Sequence, residues 1–128
     1  MTTWTKDELK RIGQAQELQL APARADGSLW PFTTMWVVRV GDEIYVRSAG
    51  GPDRPWYRHA RASSVGRIRA GGVQRDVTFG EAAAGVHDAI DAAYHDKYDQ
   101  YGPSIVGHVI GPIARAVTVR LVPASNKD

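Results

Sequence analysis

Cysteine is absent from all 128 residues, which excludes disulfides, thiolate nucleophiles and cysteine-ligated metals together. No stretch approaches the roughly 18 unbroken apolar residues that a membrane-crossing helix needs, so no membrane partner is expected. The opening Met1-Thr2-Thr3-Trp4-Thr5-Lys6-Asp7 has no basic segment running into an apolar one. No secretion leader is read there, and the expected location is the cytoplasm. Also missing are a Walker A loop, a GxGxxG dinucleotide turn and a GxSxG elbow, which disfavours kinase, Rossmann dehydrogenase and esterase chemistry. Lysine is scarce, with four against twelve arginines, a bias toward the forked recognition of phosphate or carboxylate.

What is present fits one globular domain spanning residues 1–128, with 43% hydrophobic and 23% charged residues. The formal charge of +2 is unevenly spread. From Arg39 to Arg75 eight arginines face Asp42, Glu43 and Asp53, a net of +5; from Asp76 to Gln100 six carboxylates face Lys97 alone, a net of −5. Either a basic sheet is neutralised by an acidic helix, or some of the arginines face an anionic ligand. No nucleic-acid-binding motif accompanies the basic stretch, so nucleic acid is not an expected partner.

Thr5-Lys6-Asp7-Glu8 reads as a capping box, with Trp4 and Leu9 as its hydrophobic staple, opening a helix that ends near Gly13 or Ala15. Leu18 and Leu20 alternate as in a strand, and Asp26-Gly27 marks a turn. Trp30, Phe32, Thr34, Trp36, Val38 and Val40 fall on one face of a long strand, with Thr33, Met35, Val37 and Arg39 on the other. Gly41-Asp42 turns the chain into a returning strand from Glu43 to Ala49. Pro55 suits the first position of a helix carrying Trp56, Tyr57 and Ala60 inward. A second hairpin, Val65 to Ala70 and Val73 to Phe79, turns on Gly71-Gly72. An amphipathic helix is expected over residues 81–101, with Val86, Ile90, Tyr94, Tyr98 and Tyr101 on one stripe, stopped by Gly102-Pro103. A glycine-punctuated loop to Pro112 then leads to a last strand holding Val117, Val119 and Leu121. The hairpins and the long apolar strands predict a mainly β, α+β fold: an antiparallel barrel flanked by helices.

The chemically informative constellation is Arg47-Ser48-Ala49-Gly50-Gly51-Pro52-Asp53-Arg54-Pro55-Trp56-Tyr57. A strand ends in small residues, turns on glycine and enters a helix N-terminus, where backbone N–H groups and the helix end favour an anion. Arg47, Arg54 and Arg58 can add charge-assisted hydrogen bonds to a phosphate. The competing reading is a strand-to-helix turn that needs glycine only for its backbone conformation.

Arg24-x-Asp26-Gly27 with Pro31, Ser48-Ala49-Gly50-Gly51 with Pro55-Trp56-Tyr57, and Val65-Gly66-Arg67-Ile68 resemble the core of the deazaflavin-dependent nitroreductase-like proteins of the FMN-binding split-barrel superfamily. The whole chain, including Tyr101-Gly102-Pro103-Ser104-Ile105-Val106-Gly107 and Val119-Arg120-Leu121-Val122-Pro123, is similar to a small uncharacterised family of that superfamily. The resemblance implies a six-stranded antiparallel split barrel, a homodimer, and FMN or a deazaflavin coenzyme whose phosphate sits on the glycine loop. It implies Arg24, Arg47, Ser48, Ala49, Gly50, Gly51, Arg54 and Trp56 as cofactor-binding residues, with Trp36 beside Trp56 as pocket wall. Ala49 stands where the deazaflavin enzymes usually carry lysine, and His59 where they carry asparagine, so phosphate binding falls to backbone and arginine.

The expected activity is therefore an oxidoreductase moving hydride to a small organic substrate. Tyr57, Tyr98 or solvent is the expected proton source. The alternative is a cofactor-free small-ligand-binding or isomerase-type module on the same barrel. His87, Asp91 and His95 share a helix stripe, but neighbouring Asp88 and Asp96 read as a solvated face, and no metal is expected. His108 in its glycine loop is a further possible acid.

Overall fold

The computed structural model describes residues 3–124. Helix α1 (Lys6–Gln14) opens on the full capping box: the Glu8 N–H donates to Thr5 Oγ1 at 3.0 Å, and the Thr5 N–H donates back to Glu8 Oε1 at 2.9 Å. Strand β1 (Leu18–Pro22) follows, then β2 (Thr33–Met35), β3 (Val38–Val40) and β4 (Glu43–Arg47). After α2 (Pro55–Ser63) come the hairpin β5 (Val65–Ala70) and β6 (Val73–Gly80), helix α3 (His87–Tyr98), short helices α4 (Pro103–Val106) and α5 (Gly111–Ala116), and β7 (Thr118–Pro123).

The strands form one antiparallel sheet in the order β2-β1-β5-β6-β7-β4-β3. Its two edge strands, β2 and β3, are separated in the chain only by Trp36 and Val37. At about 3.5 Å per residue, three residue steps hold Met35 and Val38 within roughly 11 Å. A seven-stranded sheet whose edges are tethered that closely has to curl back on itself, and the result is a split barrel.

The sequence predicts six strands; seven form, because the run expected as one long strand breaks at Trp36-Val37. The Val37 N–H donates to Tyr98 Oη at 3.1 Å, and the Val37 carbonyl accepts from Lys97 Nζ at 2.7 Å. These backbone groups therefore leave the ladder for side chains of α3, and a buried backbone satisfied that way has no need of a strand partner. Side-chain alternation survives the break. Met35 and Val37 pack against the barrel interior, whereas Trp36, Val38 and Val40 join the cluster under α3.

Two further expectations are corrected. The helix read over 81–101 is α3 with a 3-10 turn at each end, and residues 81–83 run into it without helical structure. The segment read as a loop to Pro112 contains α4 and α5, each with proline in its first turn, a position where the missing N–H costs nothing. Among the described residues no helix is long and apolar enough to cross a membrane.

Leu18, Leu20, Ile44, Val46, Ile68 and Leu121 fill the barrel interior, and Leu9 and Ile12 of α1 pack into the same cluster. A second cluster lies outside the wall, where Val38 and Tyr45 meet Ile90, Tyr94 and Tyr98 of α3 and Val106 and Val109 beyond it.

Candidate functional site: a cleft at the glycine loop

Strand β4 ends at Arg47, and the Ser48 N–H still reaches the Val117 carbonyl at 3.2 Å. The chain then turns sharply. The Gly51 N–H donates to the Ser48 carbonyl at 2.9 Å, and the buried Ser48 hydroxyl donates to the Gly51 carbonyl at 2.6 Å. Gly51 holds φ +89°, a conformation that side chains other than glycine's rarely adopt. Gly50 carries no such backbone demand; the guanidinium at the end of the flexible Arg54 side chain folds over it, in the space a Cβ would take. Among the described residues the Ala49 and Gly50 N–H groups donate to no acceptor. Arg54 is the extended N-cap of α2 with no side-chain cap, and Pro55 is its first residue. The free loop amides and the Trp56 N–H, the one first-turn amide of α2 with no acceptor among the described residues, thus stand near an exposed guanidinium that has no ion-pair partner among the described residues.

These groups line one side of a cleft of about 440 Å³, a size ordinary for small-molecule sites. Arg47, Ala49, Gly50, Arg54 and Trp56 form that side, and Thr33, Thr34, Met35 and Trp36 from the β2 run form another. Ile105, His108 and Val109 close it from the α4 segment, with Glu17 at the entrance to β1. The Trp36 ring is backed by Tyr98, with centroids 4.0 Å apart and planes 6° from parallel.

Arg47 is only 2% exposed. Its Nε donates to Thr118 Oγ1 at 2.9 Å, and one terminal nitrogen donates to the Val109 carbonyl at 2.7 Å and to the Asp91 carboxylate. Asp91 also receives Arg115 at 2.8 Å. Burial by itself would raise the Asp91 pKa, but hydrogen bonds and charge from Arg47 and Arg115 outweigh it and hold it below the ordinary value. Arg47 is thereby a strut joining β4, β7, α3 and the α4–α5 segment, with its Nε and one terminal nitrogen engaged.

The structure gathers Arg47, Ala49, Gly50, Arg54, Trp56 and Trp36 at the cleft, with Ser48 and Gly51 fixing the turn beneath them. Arg24 does not reach the cleft; it lies over Trp30, 4.2 Å from the ring centroid, and Trp30 stacks on His59. Tyr98 is buried behind Trp36, where desolvation pushes its pKa up to about 12, and its hydroxyl proton has the Gln16 carbonyl at 2.8 Å as acceptor. Tyr57 opens toward a different cavity. The titratable cleft residues outside the loop are Glu17 and His108. Glu17 carried no signal of its own in the sequence, because the fold alone brings it to Trp36. Of the His87/Asp91/His95 stripe, Asp91 is held by two arginines and His95 pairs with Asp99 at 2.7 Å. Among the described residues no three potential metal ligands gather.

A curled antiparallel sheet whose unpaired edge strands are joined by a two-residue tether, with a glycine-loop cleft beside it, has the architecture of a split barrel. Over residues 8–121 the chain matches the family described as "Uncharacterized protein conserved in bacteria (DUF2255)", and it belongs to that family. No curated relative matches it. Among solved structures it is similar to HutZ, the heme storage protein of Vibrio cholerae, at 14% identity and TM-score 0.62, covering 94% of this chain and 91% of that one. It is also similar to the F420-H2-dependent reductase FDR-A, at 14% identity and TM-score 0.60 over 84% and 93% of the two chains. An FAD-binding protein from Mesorhizobium loti is 17% identical with TM-score 0.58 over 96% and 92%. At these identities the likeness is one of fold.

Proposed function

We propose that the cleft holds a phosphate-bearing flavin-type cofactor, FMN or a deazaflavin coenzyme, and that the protein is an oxidoreductase of small organic molecules in the manner of the deazaflavin-dependent nitroreductase-like proteins. The observation that carries this reading is the pairing of an unpartnered Arg54 and free Ala49 and Gly50 amides with a cleft walled by Trp36 and Trp56. The first group suits a dianion and the second a flat ring system. The F420-H2-dependent reductase and the FAD-binding protein of the same fold support the cofactor class.

When bound, such a cofactor supplies the hydride. The chain's own part is to hold the phosphate at Gly50 and Arg54 and to keep Trp36 and Trp56 as rigid walls. Arg47 fixes the Val109 side of the cleft through its carbonyl bond. We place the substrate between those walls and the exposed Ile105 and His108. Two copies are proposed to associate as a homodimer, so that a partner covers the open side of each cleft.

Fluorescence titration tests the reading. FMN or the deazaflavin coenzyme binds at micromolar affinity, and riboflavin, which lacks phosphate, binds about tenfold more weakly, roughly 1.4 kcal/mol. Arg54→Ala removes that difference while leaving riboflavin unchanged. Equal affinities in the wild-type chain would refute the phosphate site. Failure of all three to bind would favour the cofactor-free ligand-binding alternative. Light scattering of the complex is expected at twice the 14.0 kDa chain mass.

A further inference from the structure

On the other side of α2 lies a larger cavity, about 650 Å³, that shares no lining residue with the glycine-loop cleft. Pro52, Tyr57, Pro112, Ile113, Ala116 and Val117 make its surface mostly apolar, and Arg58 and Arg61 stand at its rim. We infer that this cavity is a second small-molecule site, selective for a monocarboxylate with an apolar body.

Three observations converge on that ligand. First, Arg58 and Arg61 are three residues apart on α2, so their side chains share one face. Both are exposed, and neither forms an ion pair among the described residues. Glu81 is the carboxylate whose charge reaches Arg61, and it is not paired with it. Second, the part-buried Tyr57 hydroxyl accepts from Arg61 at 3.2 Å, and among the described residues its own proton has only the Ala116 carbonyl, 3.5 Å away. That distance is at the outer limit of a hydrogen bond, so a donor on the cavity wall is left poorly satisfied beside the Arg61 cation. A carboxylate oxygen supplies what both lack, an acceptor for the phenol proton and a charge for the guanidinium forks. Third, Ile113 on the cavity wall is 76% exposed, apolar surface that a hydrocarbon or aromatic body would cover.

A second copy of the chain is a poorer occupant. A two-fold contact centred on this face would set Arg58 and Arg61 against their own copies, and like charges oppose such a contact. Charge complementarity therefore points to a small free acid.

Calorimetric titration of the full chain with sodium octanoate tests the site, with acetate and 1-octanol as probes lacking the apolar body or the charge. Octanoate is expected to bind at least about tenfold more tightly than either. Arg61→Gln should weaken octanoate about tenfold and leave 1-octanol unchanged, and Tyr57→Phe should weaken it about threefold. Ile113→Ser, a surface change that does not touch the fold, should also weaken it. Arg54→Ala should have no effect, and saturating FMN should not compete, so this result stands apart from the fate of the cofactor reading. Octanoate binding no better than acetate or octanol, indifference to Arg61→Gln, or one-for-one competition with FMN would each overturn the inference.

Discussion

The two faces of the barrel wall are packed with different chemistry. Inside, Leu18, Leu20, Ile44, Val46, Ile68 and Leu121 are fully buried aliphatics held by shape alone. Outside, under α3, the packing is aromatic and polar. Tyr45, Tyr94 and Tyr98 pack there, Arg47 reaches in as the one buried charged side chain among the described residues, and Lys97 ties down Val37. The inner face specifies a barrel. The outer face specifies where α3 and the α4–α5 segment sit on that barrel, and so the shape of the cleft between Trp36 and Val109. A fold can thus be fixed by apolar pattern while its site depends on a few long-range polar bonds.

The comparison predicts different consequences on the two faces. Leu20→Ala should cost the most, about 2–5 kcal/mol in urea denaturation, because Leu20 is fully enclosed and its loss leaves a cavity. The loss should be global, with no selective loosening of any segment. Arg47→Ala should cost about 3 kcal/mol, near the low end for breaking a buried pair, since Asp91 keeps Arg115. It should also release the Val109 carbonyl, so hydrogen exchange should quicken selectively over residues 103–116. A uniform response in the Arg47 variant would erase the distinction between the two faces. Tyr98→Phe should cost about 1–2 kcal/mol by orphaning the buried Val37 N–H while the ring stack on Trp36 remains. Little change there would mean that the strand break at Trp36-Val37 does not depend on Tyr98.

The inner face was legible in the sequence and the outer one only in part. Alternation at Leu18/Leu20, at Ile44/Val46 and at Val117/Val119/Leu121, with the Gly41-Asp42 and Gly71-Gly72 turns, carries the barrel, because each signal is local. The division of residues 30–40 into two strands was not legible: its cause is a hydroxyl and an amine sixty residues downstream. The same limit applies at the site. The glycine turn, Arg54 and Trp56 lie within nine residues and could be read together. Glu17, Thr33 and Thr34 reach the cleft only through folding. Arg47 and Arg54 show why residue type is insufficient. Seven residues apart, one is buried in a structural network and the other lies exposed over the glycine loop. The neutralisation reading of the basic stretch therefore holds for Arg47, and Arg54 is the arginine left for the proposed anionic ligand.

The smallest predicted effect tests the outer face through pH. Burial lowers the pKa of Lys97 from the ordinary 10.5 to about 8. Its amine donates to the Val37 carbonyl, and among the described residues no carboxylate forms an ion pair with it to offset the charge. Below pH 8 the lysine is protonated in both folded and unfolded chains, and the cost of burying its charge is present in full. As pH rises past 8 the folded chain releases this proton while the unfolded chain keeps it until about 10.5, so stability rises with pH. Near pH 10 an opposite term enters. Tyr98 stays protonated in the fold, its pKa pushed up to about 12, whereas unfolded tyrosines ionise and draw the equilibrium toward the unfolded state. The window for Lys97 is therefore pH 8 to 10. Lys97→Met has no amine to titrate, so the stability of the wild-type chain minus that of the variant should climb across this window in urea denaturation. A difference that stays constant from pH 7 to 10 would mean that the amine keeps its ordinary affinity for protons. The contact between α3 and the strand break would then be hydrated, and the outer face less closely packed than the inner one.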